Sequence, residues 1–358
     1  MATHRDTQPE VLGSGAGLGA SIAVESAAEL GELQEIKARG YWEQVWLRFR
    51  RDKVAIASGL FIIFLVLVAF AGAPIASHLL GHGPNHIYPA GVEADTAKPV
   101  GPWTRIDTAP YPGATGDFPK TLFILGADST LGRDEFLRLH YGAQVSLEVA
   151  VGATLLSMLI GVVLGAMAGY FRGWADTIIS RLTEIVMAFP VLLFIIALAS
   201  TVGGRIDAIT FGGLLKPGVF TLVVVIGMFT WFYPARIIRG VALSLREKEF
   251  VEAARMIGAS DARIIRSHIL PHLVAPIIVY STLIVANNIL LEAGLSFLGL
   301  GIKLPTASWG TLLSTAPDFY RQQPWLMLWP GLAVLLTTLA FNLLGDGLRD
   351  AFDPRASR

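Results

Sequence analysis

The chain has 358 residues, 53% of them hydrophobic and 16% charged, with 28 basic side chains against 28 acidic ones. A soluble domain carries about a quarter charged residues, so this composition points to a polytopic membrane protein, and zero net charge gives no basis for nucleic-acid binding. The chain has no cysteine, which excludes disulfides, thiolate metal sites and cysteine nucleophiles.

Residues 1–53 read as a cytoplasmic tail followed by an interfacial helix. Met1 to Gly31 is rich in Ala, Gly, Ser and Thr, the composition of a disordered tail. Its run Gly15-Ala16-Gly17-Leu18-Gly19-Ala20 has none of the strand–helix surroundings that a dinucleotide loop needs. Glu32 to Lys53 sets Trp42, Trp46, Leu47 and Phe49 beside Lys37, Arg39, Arg48, Arg50 and Arg51, as in a helix lying at a membrane surface. Residues 54–76 form the first span, since about twenty apolar residues rising about 1.5 Å each cross a hydrocarbon core of roughly 30 Å. No small-residue cleavage site follows a short apolar run, so this span is expected to be an uncleaved anchor.

Residues 77–141 are polar and rich in Pro and Gly, and read as an extracytoplasmic loop module. His78, His82 and His86 fall four apart, but Gly81, Gly83 and Pro84 break the helix that a metal-binding face would require. No metal site is expected.

Residues 142–350 read as the core, with five further spans. The second span, Val145 to Tyr170, carries Gly161, Gly165 and Gly169 on one face, which lets a neighbouring helix approach closely. The third, Ile178 to Thr201, is interrupted by Pro190, a kink signal. Gly203 to Gly218 reads as an outer loop. The fourth span runs from Val219 to Arg239. The fifth, Leu273 to Leu300, contains Asn287 and Glu292. Polar and acidic groups inside a span are costly, which makes both residues candidates for lining a pathway; a hydrogen-bonded helix-packing role is the alternative for Glu292. Ile302 to Gln323 is a further outer loop, Trp325 to Leu344 the last span, and residues 351–358 a short inner tail.

Between the fourth and fifth spans lies a polar island, residues 246–271. Arg246, Lys248, Arg255, Arg263 and Arg266 make it basic. Ala253, Ala254 and Gly258 are expected to place small residues on one helical face. Gly258 suits a left-handed helix end, Ser260 or Asp261 a cap for a second short helix, and Pro271 is expected to end that second helix. A helix–Gly–helix unit of this kind suits a groove on another protein. The tails, the 171–181 turn and the island hold about nineteen Lys and Arg, the outer loops about nine, which puts both termini and the island in the cytoplasm.

Glu252-Ala253-Ala254, Gly258 and Leu270-Pro271 stand at the spacing of a known motif, with His268 where that motif has Ile. The island resembles the EAA motif of bacterial ABC importer permeases. Leu125-Gly126-Ala127-Asp128 with Gly132-Arg133-Asp134, Phe189-Pro190, the run from Glu292 to Gly301, Trp309-Gly310 and the run from Asn342 to Asp350 resemble further segments of the dipeptide/oligopeptide/nickel branch, although Ala127 replaces a Thr. The resemblance implies an all-α, type I ABC importer transmembrane domain of six transmembrane helices in the bacterial inner membrane. It further implies that Glu252, Ala253, Ala254, Gly258, Leu270 and Pro271 couple the chain to an ATPase. Its partners would be a second permease subunit, two ATP-binding subunits and an extracytoplasmic substrate-binding protein, with membrane lipid around them. ATP and Mg would be used by the ATP-binding subunits, and this chain would bind no cofactor. The substrates implied are di- and oligopeptides, with nickel or another small solute as the alternative.

The sequence contains no G-x-x-x-x-G-K-[ST] phosphate loop and no compact catalytic or zinc constellation, so no enzymatic site of its own is expected. Two readings from other classes remain: an ion-coupled carrier using Glu292, which would call for inverted repeats and paired intramembrane charges, and a non-transporting membrane scaffold.

Overall fold

The computed structural model describes residues 40–111, 114, 116–206 and 215–353. The chain divides into two units, Met1–Leu47 and Arg48–Arg358. In the first, residues 41–47 make most of helix α1 (Tyr41–Phe49), on which Trp42 and Trp46 are exposed.

In the second unit, the Asp52 carboxylate accepts from the Val54 and Ala55 N–H groups at 2.9 and 3.1 Å and caps α2 (Lys53–Leu80). The helix has 28 residues, about 42 Å of rise, enough to cross a bilayer. A π turn, Val68–Gly72, interrupts its hydrogen-bond ladder, and Gln144 Nε2 donates to the Ala69 carbonyl there at 2.6 Å.

The chain then forms an antiparallel hairpin, β1 (Thr104–Asp107) and β2 (Lys120–Phe123), with Thr104 opposite Phe123. Val100, Ile106, Phe123 and Ala127 pack as its small core. Buried charges tie this module to the helices. Asp128 is ion-paired to Arg133 at 2.8 Å and to Arg138 at 2.7 Å. Arg138 also donates to Asn85 Oδ1 at 2.9 Å and to the Pro305 carbonyl at 3.1 Å. His82 Nε2 meets Asp134 Oδ2 at 3.0 Å, and His86 Nδ1 accepts from the Gly83 N–H at 2.8 Å, so both rings have local partners. Asp134 in turn caps α3 (Glu135–Phe171) through Phe136 N at 2.9 Å. The helix therefore starts well before the apolar run that marks it in the sequence, because the cap and the ion pairs hold its polar first turns.

α4 (Gly173–Ala188) and α5 (Val191–Ile206) meet at an 84° bend. Pro190 supplies no N–H, and Phe189 before it is extended, as the residue preceding proline prefers. Half of the expected loop over 203–218, residues 207–214, lies outside the described residues. At its end, Lys216 donates to Gln144 Oε1 at 2.9 Å; burial pulls its ammonium below the usual value, with Glu148 opposing that. α6 (Val219–Thr230) and α7 (Phe232–Arg246) meet at 43°. Next come α8 (Glu249–Met256), α9 (Asp261–Phe297), α10 (Trp309–Thr315) and α11 (Trp325–Phe352). Among the described residues four helices are long and apolar enough to cross a membrane, or six spans if each bent pair counts as one.

α3 is the post around which α6, α7 and α9 pack. Gly161, Gly165 and Gly169 line its contact with α7. A Cβ at Gly161 would stand 2.6 Å from Pro234 Cγ, one at Gly165 2.5 Å from the Ala235 carbonyl oxygen, and one at Gly169 2.6 Å from that of Arg239. The glycine spacing thus lets two backbones touch, as the sequence predicts.

Pro271 corrects the sequence reading. It does not end a short helix: α9 runs through it from Asp261 to Phe297. A π turn, Ile265–Ile269, lies just ahead, with the Leu270 N–H bonded to the Ile265 carbonyl. That widened turn displaces the carbonyl a proline ring would otherwise strike.

Candidate functional site

The polar island folds as an elbow. Glu249 and Glu252 sit in the first turn of α8, where negative charge is favoured. The helix ends at Gly258, which has φ +82°. The Gly258 N–H bonds to the Arg255 carbonyl at 2.9 Å and that of Ala259 to Ala254 at 3.0 Å. This pairing of the last carbonyls requires the left-handed residue that glycine supplies. Ser260 is extended, and α9 begins at Asp261.

The inner face of the elbow is anchored. Val251, Ala254, Ile264 and Ile269 are buried with Ala166 and Tyr170 of α3 and with Ile238 and Ala242 of α7. The Tyr170 hydroxyl donates to Asp261 Oδ1 at 2.5 Å, and the Arg255 guanidinium lies 5.3 Å from the Tyr170 ring centre. Arg172 pairs with Glu247 at the base.

The expectation of one shared small-residue face fails in register. Ala254 is buried against the chain's own bundle, whereas Glu252, Ala253 and Gly258 are exposed. Adjacent residues on a helix differ by about 100°, so Val251 and Ala254 set the inner face and Ala253 turns away from it. Leu270 and Pro271, at the far end of the π turn, are also exposed.

The outermost residues are ones the sequence reading did not single out. Met256 is 83% exposed and Ile257 85% exposed. Two large apolar side chains stand at the tip of an otherwise polar unit, beside the exposed Arg255 and Arg263. The signal was present in the sequence: an apolar pair directly before a helix-stopping glycine, with the inner face already filled by Val251 and Ala254.

A second feature is a cleft of 710 Å³ between α5, α6, α7 and α9. Val191, Leu192, Tyr233, Tyr280 and Asn287 line it, and among the described residues no Asp, Glu, Lys or Arg lines it. Asn287 is exposed there. Glu292 is not in the cleft. It is fully buried, accepting from Ser146 Oγ at 2.7 Å and Ser296 Oγ at 2.8 Å. The Ser146 oxygen also accepts from the Trp309 N–H at 3.2 Å, so Glu292 joins α3, α9 and α10. Among the described residues no group of three or more His, Asp or Glu is placed to hold a metal ion.

Comparison with known proteins gives this architecture its context. Residues 161–358 match the family described as binding-protein-dependent transport system inner membrane component, and residues 40–89 match the N-terminal transmembrane domain of oligopeptide transport permease C. The glutathione transport system permease protein GsiD of Pectobacterium atrosepticum is 35% identical over 92% of this chain and 96% of its own length. A Brucella ovis protein named as a peptide permease is 45% identical over 68% of this chain and 76% of its own. A solved inward-facing structure of the MetNI methionine ABC transporter aligns with a TM-score of 0.47 at 15% identity, covering 61% of this chain and 97% of that one. The protein with the buried-backed, apolar-tipped elbow is therefore a multi-pass inner-membrane permease component, not an ATPase, and belongs to the family of binding-protein-dependent transport system inner membrane components.

Proposed function

We propose that this chain is the translocation subunit of an ATP-driven importer that carries di- and oligopeptides by alternating access. It works beside a second permease subunit, with two ATP-binding subunits on the cytoplasmic side and a binding protein delivering substrate outside. Both termini and the elbow face the cytoplasm, as the distribution of basic residues supports. ATP and Mg act on the partner subunits. The elbow seats in an ATP-binding subunit, and Met256 and Ile257 are the knobs that enter its groove. The α5–α9 cleft forms this subunit's wall of the pathway.

The observation that carries this reading is the tip itself: two apolar side chains, 83% and 85% exposed, on a unit whose other face is locked to α3 and α7. Burying both in a partner is worth about 1.5–3 kcal/mol each. The peptide assignment draws on relatives named for glutathione and peptide. It draws also on a cleft whose polar groups are amide and hydroxyl rather than carboxylate or imidazole, which suits peptide groups more than a nickel ion.

The chain has no cysteine, so a single introduced thiol reports without background. An Ile257→Cys protein is expected to cross-link to the ATP-binding subunit in the assembled transporter and to react with membrane-impermeant thiol reagents only from the cytoplasmic side. Labelling from the outer side would end this assignment.

A further inference from the structure

A second cavity, of 660 Å³, lies between α4 and α7. It adjoins the cleft around α7, which among the described residues is lined by no charged side chain: Tyr233 lines the cleft, while Arg236 and Arg239 line this cavity. Both cavities also meet the 84° break, with Met187 and Ala188 on one side and Val191 and Leu192 on the other. By chain order the second cavity lies on the elbow side of that break.

Its charges do not balance. Arg239 is held by Asp176, with its Nη2 2.8 Å from Oδ2. Glu184 is held by Arg181 at 2.6 Å. Arg236 has no carboxylate partner among the described residues; its Nη1 donates to the Met187 sulfur at 3.4 Å. A thioether is a weak acceptor, and a guanidinium presents a rigid fork of donors matched to a carboxylate. Arg236 is exposed on the cavity wall, and a cation in a membrane-crossing helix with no carboxylate partner among the described residues marks a functional position.

We propose that Arg236 is a binding residue for the carboxylate terminus of the translocated peptide, which it takes as the substrate leaves the neutral cleft toward the cytoplasm. This rests on the reading of the chain as a peptide-translocating permease. Among the described residues the cleft gives an ionic end group no charge to pair with, whereas the adjoining cavity offers one positive charge without a carboxylate partner. The pull is directional, and Arg239, a turn further along α7 and already neutralised, does not prolong it. Carboxylate recognition thereby belongs to the permease itself.

The test uses the complete transporter with its partner subunits and binding protein, reconstituted in vesicles, and two probes: tri-alanine and tri-alanine amide. Uptake by each variant is divided by wild-type uptake of the same peptide, which cancels the selectivity of delivery. Arg236→Gln is expected to lower tri-alanine uptake about tenfold, the scale of one charge-assisted hydrogen bond, and to leave the amide within about twofold. Arg236→Lys, which keeps the charge and loses the fork, falls between wild type and Gln on tri-alanine alone. Equal loss for both peptides in either variant assigns the guanidinium to lipid phosphate or to the fold and overturns the proposal, as does no change in either. A wild-type transporter that takes up neither peptide overturns the peptide reading, and this inference with it.

Discussion

Glu292 and Asn287 show how far single residues could be read. Both are polar groups in an apolar run, and the cost of burying them flags both. Five residues apart on a helix is about 140° of rotation, and that rotation separates them: Asn287 faces the cleft, while Glu292 sits among Ser146, Ser296 and Trp309. The sequence could not assign the faces, because the apolar residues around them are equally suited to lipid, cleft or neighbouring helix. The two positions should behave differently. Glu292→Ala leaves the Ser146 and Ser296 hydroxyls without their buried acceptor and should lower stability by about 1–3 kcal/mol, seen as a lower unfolding temperature of the purified transporter. Among the described residues Asn287 makes no interhelical bond, and its amide donates to the Leu283 carbonyl within its own helix. Asn287→Ala should keep the unfolding temperature and reduce peptide uptake. Unchanged uptake in Asn287→Ala would remove that residue from the pathway.

Among the secondary-structure elements, the glycines and prolines were legible as signals and illegible as outcomes. The run Gly161, Gly165, Gly169 announces a close helix contact, but only the structure names α7 as the partner. Gly258 is a different case: among the described residues no atom lies within 4 Å of a Cβ built there, and its constraint is the positive φ alone. Gly165→Leu should therefore separate α3 from α7 and cost at least the 1–3 kcal/mol typical of overpacking, read as loss of assembled transporter. Gly258→Asp costs about 1–2 kcal/mol of local backbone strain and should leave insertion and assembly intact while lowering peptide uptake per ATP hydrolysed. Normal uptake in Gly258→Asp would argue against the elbow as the drive point. Prolines divide in the same way. Pro190 breaks its span by 84°, whereas α9 absorbs Pro271 behind a π turn. Nothing local in the sequence distinguishes them, because the widened turn is selected by packing of Ile264, Ile269 and Leu273 on Tyr170, Ile238 and Ala242. The bonds from Arg138 to Asn85 Oδ1 and to the Pro305 carbonyl join distant segments, and periodicity is silent about such partners.

At the scale of the whole second unit, the question is how a push on the elbow reaches the cleft. The α3–α7 glycine seam leaves no soft layer between those helices, and packed interfaces shift between discrete arrangements rather than deform gradually. Pairing of Asp176 with Arg239 fixes α4 to α7, and pairing of Arg172 with Glu247 fixes the end of α3 to the start of the elbow. A further link is the hydroxyl of Tyr170, which holds Asp261 at the root of α9. Since α9 carries Tyr280 and Asn287 into the cleft, that bond joins the driven element to the wall that must move. Tyr170→Phe deletes it while keeping the ring under Arg255 and Arg246. Asp261 is exposed, so the loss in stability should stay near 1 kcal/mol and the transporter should assemble. Force would then reach α9 through its backbone continuity with the elbow, its side-chain packing and the deeper Ser146–Glu292 and Thr154–Asn288 bonds, and part of each elbow displacement would be lost as relative motion of the inner ends of α3 and α9. The expected result is wild-type ATP hydrolysis with fewer peptides imported per ATP, measured as the ratio of the two rates in the same vesicles. An unchanged ratio would mean that the apolar cluster around Tyr170 transmits the stroke without the hydrogen bond.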